Sequence, residues 1–238
     1  MGHNAIGHRA RVINTVRRNP SAVLLAVQLL GFLLYPFMEA SPSGRALFGA
    51  FGLVVLGAAL WVVRRSPWLT WLGLLLALPV VVLSVLIAVS AHPHLLVWSA
   101  ALESLFYFYA TGSLIAYMLQ DWVATTDELF AAGATFTLLA WAFAYAYVVC
   151  EALFPGSFAI AGSEAATRTW MELLYLSVAV LSSVGLSDVV PVTPMARAIV
   201  ILESFAGVMY IALVVSRLIN MGYRSRQLDP SHSPKARG

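Results

Sequence analysis

The sequence predicts an all-α membrane protein of six transmembrane helices, with one shorter apolar segment that enters the membrane and returns. Three observations predict it. Of 238 residues, 61% are hydrophobic and only 11% charged, against about 25% charged in a soluble domain, and the mean hydropathy is +0.84. Six apolar runs approach or exceed the roughly 20 residues a helix needs to cross a bilayer. Between the fifth and sixth runs lies a further apolar stretch, "TWMELLYLSVAVL", that is too short to cross and leads into the turn-rich "SSVGLSDVVPVTP".

The six runs fall at residues 22–38, 46–63, 68–90, 95–119, 129–153 and 196–220, divided by breaks such as "EASPSG", "RRSP", "SAHPH" and "QDWVATTDE". The first is preceded by the polar "MGHNAIGHRARVINTVRRNP". A cleavable signal would place its apolar core nearer the start, so the first run is expected to remain in the protein. The cations set the orientation, because Lys and Arg resist translocation. With both termini cytoplasmic, Arg9, Arg11, Arg17, Arg18, Arg64, Arg65, Arg217, Arg224, Arg226, Lys235 and Arg237 lie inside, and Arg45, Arg168 and Arg197 outside. A basic balance of this kind, with a pI near 9.2, reads as topology signals and contacts with anionic lipid; no nucleic-acid partner is expected. Cys150 is the lone cysteine, which excludes an intrachain disulfide and reads as a small apolar residue.

Between the fifth and sixth runs the chain passes through "FPGSFAIAGSEAATR" before the 13-residue apolar stretch. At 1.5 Å per residue that stretch falls short of a span. The following non-helical backbone is tolerated at membrane depth only where protein buries it or it lines a water-filled path. The segment is therefore expected to line a pore.

"YLSVAVLSSVGLSDVVPVTPMARAIVILESFAGVMYIALVVSRL" resembles the pore module of the potassium-channel superfamily, in which a pore helix leads to a TVGYGD-type filter and then an inner helix. The resemblance runs from Thr169 to Leu218 and is to bacterial channels with six transmembrane helices and one pore loop. It implies a selectivity filter at Ser183, Val184, Gly185, Leu186, Ser187 and Asp188. Arg197 stands where the inner helix of the family often begins with a basic residue, and Gly207 where the family has its gating hinge. The resemblance implies a homotetramer, since one loop per chain cannot close a ring of carbonyls around an ion. It also implies permeant potassium rather than a bound cofactor or metal, related channel subunits as possible partners, and a plasma membrane of the bacterial inner type.

Two filter positions depart mildly from the family. Leu186 replaces an aromatic, and Ser183 keeps the hydroxyl of a threonine. Ser187 occupies the second glycine position, where the family filter has φ > 0, so a strained and distorted outer filter is expected there. The function implied is a cation channel, potassium-permeable with weakened selectivity. The alternatives are a non-conducting or modulatory subunit and, from a different class, a secondary transporter.

The resulting organisation is a cytoplasmic segment at 1–21, a four-helix peripheral domain at 22–128 and a pore domain at 129–220. Within the pore domain the outer helix is 129–153, the pore helix 169–181, the filter 183–188 and the inner helix 196–220. A disordered cytoplasmic tail is expected at 221–238, and no ligand-sensing domain is expected. The fourth run carries no Lys or Arg. Moving a charge through the membrane field is worth about 2.3 kcal/mol per elementary charge per 100 mV, so without gating charges only shallow voltage dependence is expected.

From Gly207 onward, Val208, Ile211 or Ala212, Val215 and Ile219 recur at helical spacing; the resemblance implies that they form the pore-lining stripe, with Val215 and Ile219 as a dewetting gate. Four carboxylates lie in or near spans. Glu151 and Glu172 are expected near the outer interface. Glu103 and Glu203 are candidates for structural or pH-sensitive roles, Glu103 through a serine or tyrosine of a neighbouring helix and Glu203 behind the filter. Aromatics such as Tyr107, Phe108, Tyr109 and those between Trp141 and Tyr147 read as helix packing. "GHNAIGH" and "AHPH" have metal-like spacing but sit in polar segments, and no metal site is expected. No catalytic constellation or phosphate cradle appears, so the chain reads as a non-enzyme.

Overall fold

A computed structural model of the chain describes residues 19–39, 42–63, 67–90, 93–120, 126–160, 162 and 167–227. These form helices α1 (Pro20–Glu39), α2 (Pro42–Val63), α3 (Pro67–Ser90), α4 (Pro93–Gln120), α5 (Thr126–Leu153), α6 (Trp170–Leu181) and α7 (Pro194–Gln227), with two short strands, β1 (Phe158–Ile160) and β2 (Val189–Pro191). The segments 1–18 and 228–238, "GHNAIGH", and the first half of "AHPH" lie outside the described residues.

Five of these helices open on proline. The first turn of a helix has no intrahelical partner for its N–H groups, so a residue lacking one loses nothing there, and its fixed φ already suits the helix. The chain therefore uses proline to restart a helix after each tight connection. Pro36 in α1 and Pro79 in α3 instead lie inside helices, where each removes one ladder bond.

Three described helices are long and apolar enough to cross a membrane: Pro20–Phe37, Thr126–Leu153 and Pro194–Arg217. The segments Phe51–Val62 in α2 and Trp71–Ile87 in α3 are shorter apolar helices.

Helix α5 is the centre of the fold. It packs against α1, α4, α6 and α7, and its contact with α4 is the most extensive in the chain. The sequence reason is its run of small residues, with alanines at 131, 132, 134, 140, 142, 144 and 146 and Gly133. Small side chains let neighbours approach the backbone, and polar side chains then hydrogen-bond across the helix pair. Four helices use this opportunity. Gln28 of α1 donates to the carbonyl of Ala134 (3.4 Å), Ser104 of α4 to Ala142 (2.9 Å), Ser177 of α6 to Ala140 (2.9 Å), and the Tyr210 hydroxyl of α7 to Ala132. The alternating aromatics of α5 fill the spaces between. Trp141 meets Tyr107 edge-on at 5.6 Å and Trp170 at 5.3 Å, and Phe143 meets Phe108 at 4.9 Å.

The strands are an addition to the expected all-α fold. β1 and β2 pair antiparallel with Phe158 opposite Pro191 and Ile160 opposite Val189. The pairing clips the loop after α5 to the chain that leaves the turn-rich stretch. Helix α7 also corrects an expectation: it continues to Gln227 rather than stopping at 220. The added "MGYRSRQ" contains one glycine and no proline, so nothing in it ends a helix that is already nucleated.

Candidate pore site

The site is built from α6, the loop that follows it, and α7. Helix α6 begins with a capping box. Thr169 accepts from the Glu172 amide (3.3 Å), and Glu172 returns the bond to the Thr169 amide (2.7 Å). The T-x-x-E before an apolar run is the sequence signal for this arrangement, although Glu172 reads at first as an interface carboxylate. The helix buries Leu173, Leu174, Leu176, Ser177, Ala179 and Leu181.

Its other end determines how the candidate filter starts. Ser182 is the C-cap, and Ser183 follows in the left-handed region at φ 60°. The Ser183 amide donates to the Val180 carbonyl (2.9 Å) and the Val184 amide to the Ala179 carbonyl (3.1 Å). These two bonds make a Schellman closure, in which a residue with φ > 0 lets the chain reverse and satisfy the last carbonyls. The Gly185 amide also reaches Ala179 O (2.9 Å), and Gly185 lies at φ 68°.

This geometry overturns the expectation for Ser187. Among the described residues Ser183 is the one non-glycine with positive φ, and Ser187 is not in that region. Its backbone amide bonds Gly185 O (3.2 Å) and its hydroxyl accepts from the Val189 amide (3.1 Å). A short polar side chain that caps its own turn is an ordinary occupant there. The strain sits four residues earlier, where the helix closes.

Beyond the closure, Val184 and Leu186 are 67% and 69% exposed, and Asp188 is exposed beside them. Gly185, Leu186, Ser187 and Asp188 line an open cleft of about 830 Å³ together with Glu172 and Tyr175. The loop returns through β2 to Thr193, whose hydroxyl accepts from the Ala196 amide (3.3 Å) and stands 2.9 Å from the Ser157 hydroxyl. Arg197 donates from Nε to Pro191 O (3.3 Å). Glu151 is buried, and its two oxygens accept from the amides of Gly156 and Phe158, each at 3.1 Å. It holds the turn between α5 and β1, a role that a lone carboxylate at a helix end does not announce in sequence.

Helix α7 crosses behind α6. A Cβ placed on Gly207 would stand 2.3 Å from the Leu181 carbonyl oxygen. What calls for glycine at this position is therefore close backbone approach, and α7 runs unbroken through it. One turn earlier, Glu203 is wholly buried and accepts from Ser177 of α6 and from the Tyr147 hydroxyl of α5. The same Ser177 hydroxyl lies 2.9 Å from Ala140 O, so Glu203, Ser177 and Tyr147 tie three helices at one point. Val208, Ile211, Val215 and Ile219 are all exposed within the chain.

At the opposite end of α7, Arg217 donates to Glu128 of α5 (2.8 Å). The neighbouring Asp127 accepts from the amide and hydroxyl of Ser21, each at 3.1 Å, and from Tyr117 at 3.5 Å. The acidic first turn of α5 thus holds α1, α4 and α7 together. "TTDE" at the start of a helix is the signal that marks it, since carboxylates favour a helix N-terminus. Glu103 lies apart from all of this, half-buried in α4, and is bonded by Ser99 of its own helix (3.0 Å) and by Tyr145 of α5.

Residues 133–224 match the family model described as an ion channel. The matched segment begins in α5 and ends in the last turns of α7. It contains the closure at Ser183, the candidate filter and Gly207, so the part of the chain built around α6 is the part similar to ion channels. No curated protein and no solved structure matches the chain.

Proposed function

We propose that the chain forms a tetrameric cation channel that passes potassium with weakened selectivity and opens without steep voltage dependence. The observation that carries the reading is the closure of α6 at Ser183. It ends a short buried helix inside the ion-channel segment and turns the chain so that residues 184–188 leave with exposed side chains. Four copies of that loop around an axis would supply rings of backbone carbonyls, with Asp188 as a ring of carboxylates at the outer mouth; both favour cations. The inner helices would line the rest of the path through Val208, Ile211, Val215 and Ile219, and Gly207 would lie at the level of the filter's base. The six-span topology with cytoplasmic termini belongs to the same proposal, as does a surround of membrane lipid.

Leu186 and Ser187 at the filter positions favour a second reading, a subunit that assembles with related channels without conducting. Native mass spectrometry in lipid nanodiscs and planar-bilayer recording separate the two. A tetramer with a potassium-selective reversal potential between potassium and sodium supports the channel. A tetramer with no current supports the silent subunit, and a stable monomer overturns both.

A further inference from the structure

Helices α2, α3 and α4, which the pore reading leaves without a task, line a cavity of about 60 Å³ against α5. Three features of the sequence keep it open. Gly52 leaves α2 without a side chain, and a Cβ added there would meet nothing within 4 Å. Pro79 interrupts the α3 ladder one turn before Ser84, which presents a small side chain to the cavity. Glu103 of α4 then places a carboxyl group in the wall. Protein interiors normally fill such space, and a void with polar walls holds water where an apolar one stays dry.

The described residues that line this wall include no Lys or Arg. No Lys or Arg occurs in residues 46–63, 67–120 or 126–153, which include every helix segment around the cavity. The titratable groups facing Glu103 are Tyr107 on its own helix and Tyr145 on α5, while α2 and α3 present Gly52, Leu53, Leu56, Val80 and Ser84. Three of the donors here are already committed. The Ser84 hydroxyl donates to Val80 O (2.8 Å), Ser99 donates to Glu103 (3.0 Å), and Tyr145 bonds Glu103. The wall thus offers the oxygens of Ser84, Tyr107, Tyr145 and Glu103, with one carboxyl group among them.

We propose that this cavity is a hydrated site that exchanges one sodium-sized monovalent cation for the proton of Glu103. Hard oxygen donors and a single carboxylate suit a monovalent ion, whereas a divalent one normally takes several carboxylates. The volume accommodates a bare cation with about one water, taking roughly 30 Å³ per water. The proposal does not depend on conduction.

The test uses the full chain in lipid nanodiscs and infrared difference spectroscopy, replacing N-methylglucamine, too bulky for the cavity, with sodium at constant pH and ionic strength. A saturable loss of a carboxylic acid C=O band with a matching gain of carboxylate bands is expected. The response should vanish in Glu103→Gln. In Gly52→Val, which fills the space but keeps the carboxyl, the sodium response should vanish while a pH titration of the band survives. Ser84→Ala, a variant that leaves the fold undisturbed, should weaken the apparent sodium affinity about tenfold or less without abolishing the response. A wild-type band that titrates with pH but ignores sodium overturns the proposal, as does a sodium response that persists in Glu103→Gln. Since no current is measured, either result leaves the channel reading to its own experiments.

Discussion

Helices α5 and α7 are both apolar enough to cross a membrane, yet they are finished to different degrees by their own chain. Of Thr126–Leu153, 61% is buried, against 17% of Pro194–Arg217. Helix α5 receives hydrogen bonds from four neighbours on its own carbonyls, while α7 leaves Ile201, Leu202, Phe205, Val208 and Met209 more than half exposed. Small residues explain the first and large aliphatic ones the second. A helix of alanines invites close packing within the chain, whereas bulky side chains on an outward face require partners beyond it, whether lipid or further copies. What holds α7 to the chain is then a few intense contacts, at Gly207, Glu203, Tyr210 and Arg217, and each of these can be broken singly.

Gly207→Ala should have the largest effect. The new methyl group cannot coexist with the Leu181 carbonyl at 2.3 Å, and backbone, unlike a flexible side chain, has nowhere to yield. Overpacking commonly costs about 1–3 kcal/mol, and this site is at the upper end because α7 or the closure at Ser183 must move. A lowered melting temperature together with lost current is expected. The same substitution at Gly57, where added atoms meet nothing within 4 Å, should leave both unchanged, and equal effects at the two sites would undo the argument for close approach.

Glu203→Ala comes next. It leaves the Tyr147 hydroxyl buried without its acceptor and opens a void at the junction of three helices, at a cost of roughly 1–3 kcal/mol for the unsatisfied group alone. Glu203→Gln should be nearly neutral, because an amide can accept from Tyr147 and donate to Ser177, whose own hydrogen then serves Ala140. Thermal denaturation in nanodiscs distinguishes them, and similar losses for both would show that charge, not hydrogen bonding, holds the junction.

The ion pair at the other end of α7 should matter less. Arg217 retains 19% exposure and Glu128 only 7%, so the pair lies between surface bridges, worth about 0–1 kcal/mol, and buried ones, which cost more when broken. A double-mutant cycle of Arg217→Ala and Glu128→Ala should return a coupling of about 1–2 kcal/mol in stability. If Val215 and Ile219 form a gate, the same cycle read on open probability should also be non-additive, since both flank Arg217 on α7. Additive effects in both measurements would reduce the pair to an incidental contact.

How much of this was legible in the sequence depends on whether the cause was local. Six apolar runs mark six of the helices, because length and hydropathy are properties of one segment. The short seventh run marked α6 for the same reason, and T-x-x-E marks its start. The Glu203 junction was only half legible. The family resemblance places Glu203 behind the filter, but its partners Ser177 and Tyr147 lie 26 and 56 residues away, and no local pattern joins them. The hub at Asp127 and Glu128 was half legible in the same way, since "TTDE" marks the helix start but its partners Ser21 and Arg217 lie far off along the chain. The strand pair was missed because three-residue strands carry too little alternation to show. The error at Ser187 had a different origin. The family pattern assigns a backbone conformation by position, but serine can cap its own turn, and the chain relieves itself at a position where the pattern expects none.

That error yields the smallest and sharpest test. Ser183 holds φ 60° at the helix closure, a conformation that costs a residue with a Cβ about 1–2 kcal/mol relative to glycine. Ser183→Gly should therefore raise the stability of each chain by about 1 kcal/mol, less a small entropic loss from the freer unfolded chain. Ser187→Gly should do the reverse. It removes the bond to the Val189 amide without relieving any positive φ, for a loss of about 0.5–1.5 kcal/mol. The two serines thus differ in sign under the same substitution, and melting temperatures of the two single variants and the double variant measure it directly. The bulk of α5 should be indifferent to both, because it touches the closure only through α6. If Ser187→Gly proves the stabilising one, the strain lies in the outer filter after all, and the closure at Ser183 is not what sets the course of the loop.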